Sequence, residues 1–68
     1  MKVGDPVSIL FVNYKCDLLN IQEGDIGLVS EVSPNMQDPM DPWVVIIING
    51  HEIVFRQNDL RVLNLVGR

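Results

Sequence analysis

Cysteine, histidine and positive charge are all scarce in this sequence, and each scarcity removes a class of activity. Cys16 is the only cysteine and His51 the only histidine among 68 residues. A lone cysteine forms no internal disulfide. One Cys and one His fall short of the four Cys or His ligands that a structural zinc site takes. Five Lys and Arg stand against nine Asp and Glu, giving a net charge of −4 and a pI near 4.5. Nucleic-acid binding draws most of its affinity from Lys and Arg neutralising phosphates, so this balance argues against it. Long apolar runs are missing too. The longest, Trp43 to Ile48, is far too short to cross a bilayer. Met1-Lys2-Val3-Gly4-Asp5-Pro6 has no apolar run after its lysine, unlike a secretory signal. The expectation is a soluble, cytoplasmic chain with no membrane partner.

What the chain does have is apolar side chains, 47% of the total. A sequence this short makes one domain, residues 1–68, and hides only about 60% of the surface its unfolded form exposes. Small scaffolds normally lean on a disulfide, a metal or a partner. With a disulfide and a zinc site excluded, stability must come from apolar burial, within the chain or against another one.

Pattern and punctuation both predict strands. Gly4-Asp5-Pro6 reads as a turn feeding a first strand over Val7–Val12. Residues 13–25 show no clean period; Leu18, Leu19 and Ile21 could form a short helical turn, but the favoured expectation is a long loop with these three as buried anchors. A second strand is expected from Ile26 to Val32. Its apolar residues at Ile26, Val29 and Val32 are spaced by three, which calls for a bulge or sharp bend. Ser33–Pro42 holds three prolines and is a loop, since proline donates nothing to a ladder. Trp43–Ile48 is a third strand. Asn49-Gly50, the strongest short-range hairpin signal, turns it into a fourth, His51–Arg56. Gln57–Leu60 reads as a tight turn, with 3₁₀ one form open to it, before a last strand over Arg61–Leu65. The fold class expected is therefore all-β: a five-stranded barrel with a long first loop and an Asn-Gly hairpin, closed so that few edges remain open.

Several segments carry a resemblance. Val3-Gly4-Asp5-x-Val7 opens the chain, and Gly24-x-x-Gly27-x-Val29-x-x-Val32 runs through the second strand. Pro42-Trp43-Val44-Val45 enters the third, and Phe55-x-x-x-Asp59-Leu60-x-Val62-Leu63 closes the sequence. In this order they resemble the SH3-like small barrel in its bacterial, organellar and phage versions. These include KOW-type barrels, the variable subunit of ferredoxin–thioredoxin reductase, the small stromal-side barrel subunit of photosystem I, and short phage-encoded barrels without assigned function. The resemblance implies an SH3-like barrel. It implies two further roles as alternatives: an accessory subunit of an electron-transfer enzyme, carrying no cofactor itself, or a KOW-type nucleic-acid or ribosome-associated module. Two departures count against particular roles. Signalling SH3 domains bind Pro-rich ligands in an aromatic groove, but here Tyr14 stands alone and the Gln57–Leu60 turn lacks Pro and Tyr. KOW-type binding needs basic loops, and loop 13–25 offers Lys15 against Asp17, Glu23 and Asp25.

No catalytic arrangement emerges. Cys16 lies between Lys15 and Asp17, whose effects on a thiolate oppose each other, and is expected to pack under the loop. His51 is expected to be solvated at a strand end, with no orienting partner for base catalysis. Asp38 and Asp41 lack the ligand count and glycine of a calcium loop and read as solvated turn residues. Ser8, Ser30 and Ser33 sit in no Gly-x-Ser-x-Gly frame. Gly24-x-x-Gly27 is followed by no Lys-Ser/Thr and so is not a phosphate loop. No enzyme, cofactor or small-molecule substrate is expected.

The third strand is different, because it is apolar on both faces, where a half-buried strand would alternate. With Val44, Ile46 and Ile48 inward, Trp43, Val45 and Ile47 point outward, joined by Val54 and Leu28. Met36 and Met40, flanked by prolines, would supply an adaptable rim. Contiguous exposed apolar patches mark interaction sites. The function expected is a non-catalytic interaction module that docks a protein partner, or itself, through this face. The competing arrangement has loop 13–25 folded over it.

Overall fold

A computed structural model describes residues 1–13, 16 and 18–63. It contains five strands: β1 (Pro6–Ile9), β2 (Ile26–Ser33), β3 (Trp43–Ile48), β4 (His51–Arg56) and β5 (Leu60–Val62), with a 3₁₀ turn over Gln57–Asp59 between the last two. All neighbours are antiparallel, in the order β4-β3-β2-β1-β5. Among the described residues no ladder joins β4 to β5, so hydrogen bonds do not close the sheet into the expected barrel. No described helix is long and apolar enough to cross a membrane.

Two copies of one turn clamp β1 to β2. Lys2-Val3-Gly4-Asp5 and Gln22-Glu23-Gly24-Asp25 both place glycine at strongly positive φ, 94° and 92°, where a side chain would be strained. In the first, the Asp5 amide donates to the Lys2 carbonyl (3.1 Å) and the Asp5 carboxylate accepts from the Lys2 nitrogen (3.0 Å). In the second, Asp25 and Gln22 exchange the same two bonds at 3.1 and 3.0 Å. Each turn then grips the opposite strand. The Gly4 amide donates to the Val29 carbonyl, and Val29 returns a bond to Asp5; Gly24 and Asp25 do the same with Ile9. A Gly-Asp pair ahead of each strand thus fixes the β1–β2 register from both ends.

The second turn also explains where β1 stops. Ile9 is its last residue because β2 begins at Ile26 and offers nothing further to pair with. The expected extension to Val12 is therefore corrected. The amides of Leu10 and Phe11 turn instead to the Asp59 carbonyl of the 3₁₀ turn (2.9 and 3.4 Å). At the other end, β5 begins one residue earlier than expected, at Leu60, and the Leu63 amide still reaches the Pro6 carbonyl (2.9 Å). The expected continuation to Leu65 lies outside the described residues.

β2 slips register between Val29 and Glu31. The extra residue, Ser30, aims its hydroxyl at the Val45 carbonyl of β3 (3.4 Å). The slip reconciles the three-residue apolar spacing with strand geometry. Val29 faces Ile46 and Val32 faces Val44 on the inner side, while Leu28 faces Ile47 on the outer. Gly27 is buried against β3. A Cβ there would lie 2.9 Å from the Ile47 carbonyl oxygen and 3.2 Å from Ile48 Cβ. β3 and β4 connect through Asn49 and Gly50, at φ of 52° and 80°, between paired Ile48 and His51.

One core holds these elements together. Val7 and Ile9 from β1, Val44, Ile46 and Ile48 from β3, and Ile53 and Phe55 from β4 are fully or almost fully buried in it. The first loop contributes Cys16 and Ile21 to the same cluster. Cys16 and Leu18 lie in a single helical turn, closed by the Leu19 and Ile21 amides donating to the Cys16 carbonyl.

Candidate functional site

The outer side of β2, β3 and β4 is built as three cross-strand rows. Register places Leu28, Ile47 and Glu52 side by side, then Glu31, Val45 and Val54, then Ser33, Trp43 and Arg56. Directly opposite side chains lie about 5 Å apart and diagonal ones about 7–8 Å, within reach of long side chains, so the apolar members of adjacent rows are neighbours. Leu28, Ile47 and Val54 are 53%, 45% and 47% exposed, and Val45 between them is half-buried. The first loop sends its buried residues, Cys16 and Ile21, into the core on the inner side and leaves these side chains open to solvent.

Trp43 ends the patch. Its ring lies under the Arg56 guanidinium, 5.5 Å from ring centroid to the guanidinium carbon, a cation–π arrangement that screens part of the indole. The charged members of the rows are Glu31, Glu52 and Arg56, so the border is mostly acidic. Leu28, Val45, Ile47, Val54 and Trp43 therefore come together on one surface. Met36 and Met40 are almost fully exposed, on the loop that leaves β2 beyond Ser33 and returns at Trp43.

That loop carries a feature the sequence reading missed. Asp41 was expected in solvent, yet it is 5% exposed, as is Asn35. The Asp41 carboxylate accepts the Asn58 amide (2.9 Å), and the Pro42 carbonyl accepts the Gln57 amide (2.9 Å). These two bonds satisfy the start of the 3₁₀ turn, for which Arg56 supplies no side-chain cap. Asn35 organises the loop from within. Its Nδ2 donates to the Asp41 carbonyl (3.0 Å), while its Oδ1 accepts from the amides of Gln37 and Asp38. The signal was present as Asn35-x-x-Asp38 in a proline-bounded segment, since Asn and Asp side chains mimic backbone turns. Asp38 itself is exposed, as expected, and its Oδ1 accepts the Met40 amide. The loop that holds both methionines is thus tied to the junction of β4 and β5.

The remaining sequence candidates lie apart from the patch. Cys16 is fully buried among apolar side chains and His51 is exposed beside the hairpin turn. Tyr14, Lys15 and Asp17 lie outside the described residues. Among the described residues no three His, Cys, Asp or Glu side chains group closely enough to hold a metal ion. A second set of exposed apolar side chains, Leu10, Phe11 and Leu18, sits on the first loop. The sequence reading missed Leu10 and Phe11 by placing them inside β1, and the expected buried anchor Leu18 is corrected to an exposed residue. Searches against protein-family models, curated proteins and solved structures return no match for this chain.

Proposed function

We propose that this chain is an SH3-like small barrel acting as a non-catalytic interaction module, which docks a partner protein or a second copy of itself through the outer face of β2, β3 and β4. The strand order and the 3₁₀ turn before β5 support the barrel reading. One observation carries the functional reading. Leu28, Ile47 and Val54 are neighbours by register around the half-buried Val45, and each of the three is about half exposed. Burying one Ile or Val contributes roughly 1.5–3 kcal/mol, so a partner covering this group gains substantially. Trp43 is the anchor at its end, because interface energy concentrates in Trp, Tyr and Arg. Met36 and Met40 form an adaptable rim. The acidic border formed by Glu31 and Glu52 favours a protein over the phosphates of nucleic acid.

Val45→Lys tests this directly. The change places a charge at the centre of the outer face and leaves Val44 and Ile46 in the core. The expected result is an unchanged circular dichroism spectrum with loss of the face-bound partner from the native assembly in sedimentation. A parent protein that sediments as a monomer and joins no partner, with Val45→Lys behaving identically, defeats the proposal.

A further inference from the structure

The outer edge of β4 has a self-complementary pattern. β4 ends the sheet, paired with β3 on one side only. The Asn49-Gly50 turn closes the hairpin at Ile48 and His51, which makes that pair mutually hydrogen-bonded. Antiparallel ladders alternate, so Ile46–Ile53 and Val44–Phe55 are the next bonded pairs. The amides and carbonyls of Glu52, Val54 and Arg56 consequently point away from β3. Among the described residues no backbone bond is made to them. Their side chains are exposed, as is that of His51, whereas Ile53 and Phe55 are buried.

We infer that β4 pairs antiparallel with β4 of a second copy of this chain, about a two-fold axis at Val54. Such an axis places Val54 opposite its own copy. It also sets Glu52 opposite Arg56 of the second copy, and Arg56 opposite Glu52, so both charge pairs are of opposite sign. All three pairs fall on residues whose backbone groups face the edge, so each exchanges both N–H···O bonds. A one-residue slip would break the charge match and turn the wrong backbone groups toward the partner. Among the described residues the far edge of the sheet offers no equivalent, because β5 spans three of them, and short edge strands resist pairing. The pairing joins two sheets into one and brings the two outer apolar faces side by side, Val45 and Val54 of one next to Val54 and Val45 of the other. It deepens the proposed interaction role by naming a second copy as partner, on the edge rather than the face.

Charge reversal tests the inference. Glu52→Arg sets like charges opposite each other at two symmetric positions and is expected to weaken the dimer roughly tenfold in sedimentation equilibrium. Arg56→Glu is expected to weaken it too, and to remove the contact with Trp43. The double variant E52R/R56E restores opposite pairs and should recover the parent dimer constant. Val45→Lys, one strand in from the edge, should leave the dimer intact. A monomeric parent, or a dimer indifferent to E52R, overturns the edge pairing. A dimer that Val45→Lys dissolves and E52R does not overturns it too, while supporting the face reading.

Discussion

Ile46 and Ile47 are adjacent in sequence, identical in chemistry and opposite in circumstance. Ile46 is completely buried, paired with Val29 and Ile53 in the core. Ile47 lies between Leu28 and Glu52, nearly half exposed. The alternation of a strand is what separates them. One side of β3 therefore holds the fold together, and the other contributes little to it. Apolar content alone therefore does not distinguish a residue that stabilises the chain from one left exposed on its surface.

The sharpest way to break this comparison is to shorten both side chains in turn. Ile46→Ala should cost about 2–5 kcal/mol in denaturant unfolding, from lost burial plus the cavity left behind. An Ile46→Ala protein as stable as its parent would mean the inner face is not the core. Gly27→Val should follow, at about 1–3 kcal/mol, because its side chain would meet the Ile47 carbonyl rather than a movable side chain. Unchanged thermal stability in that variant would rule out the close approach of β2 to β3. Asp41→Ala should cost about 1 kcal/mol by leaving the Asn58 amide without its acceptor. It should also speed amide exchange in the 3₁₀ turn; exchange like the parent's would show that Asp41 does not hold that turn. Smallest of all, Ile47→Ala in the isolated chain should stay within about 0.5 kcal/mol. A loss matching Ile46→Ala would show that the outer face is covered in the free protein.

Much of this arrangement was legible in the sequence, for local reasons. β3 and β4 have the expected bounds because Pro42 and Asn49-Gly50 act on their own neighbours. The slip in β2 was foreshadowed by apolar residues three apart, and the inward and outward sets of β3 by simple alternation. What escaped depends on distant partners. β1 ends at Ile9 because β2 begins at Ile26, a fact about pairing that Leu10, Phe11 and Val12 do not carry. Asp38 and Asp41 look alike in the chain, and only the Asn58 amide, 17 residues on, separates the buried one from the solvated one. Of the two Gly-Asp turns only Gly4-Asp5 was read as a turn, and the clamping of β1 to β2 by the pair appears only once each strand has a neighbour. The direction of the first loop was the hardest to read, since Leu18, Leu19 and Ile21 are equally apolar and only Ile21 is fully buried.

The proposed role makes the outer face of β2, β3 and β4 a docking surface. Its most direct test is covalent footprinting of the native protein in the cells that make it, compared with the purified chain at high dilution. Leu28, Trp43, Ile47 and Val54 should label readily in the dilute chain and be protected in the cell, while Leu18 and His51 label alike in both. Equal labelling of the outer face in the two states would contradict the account.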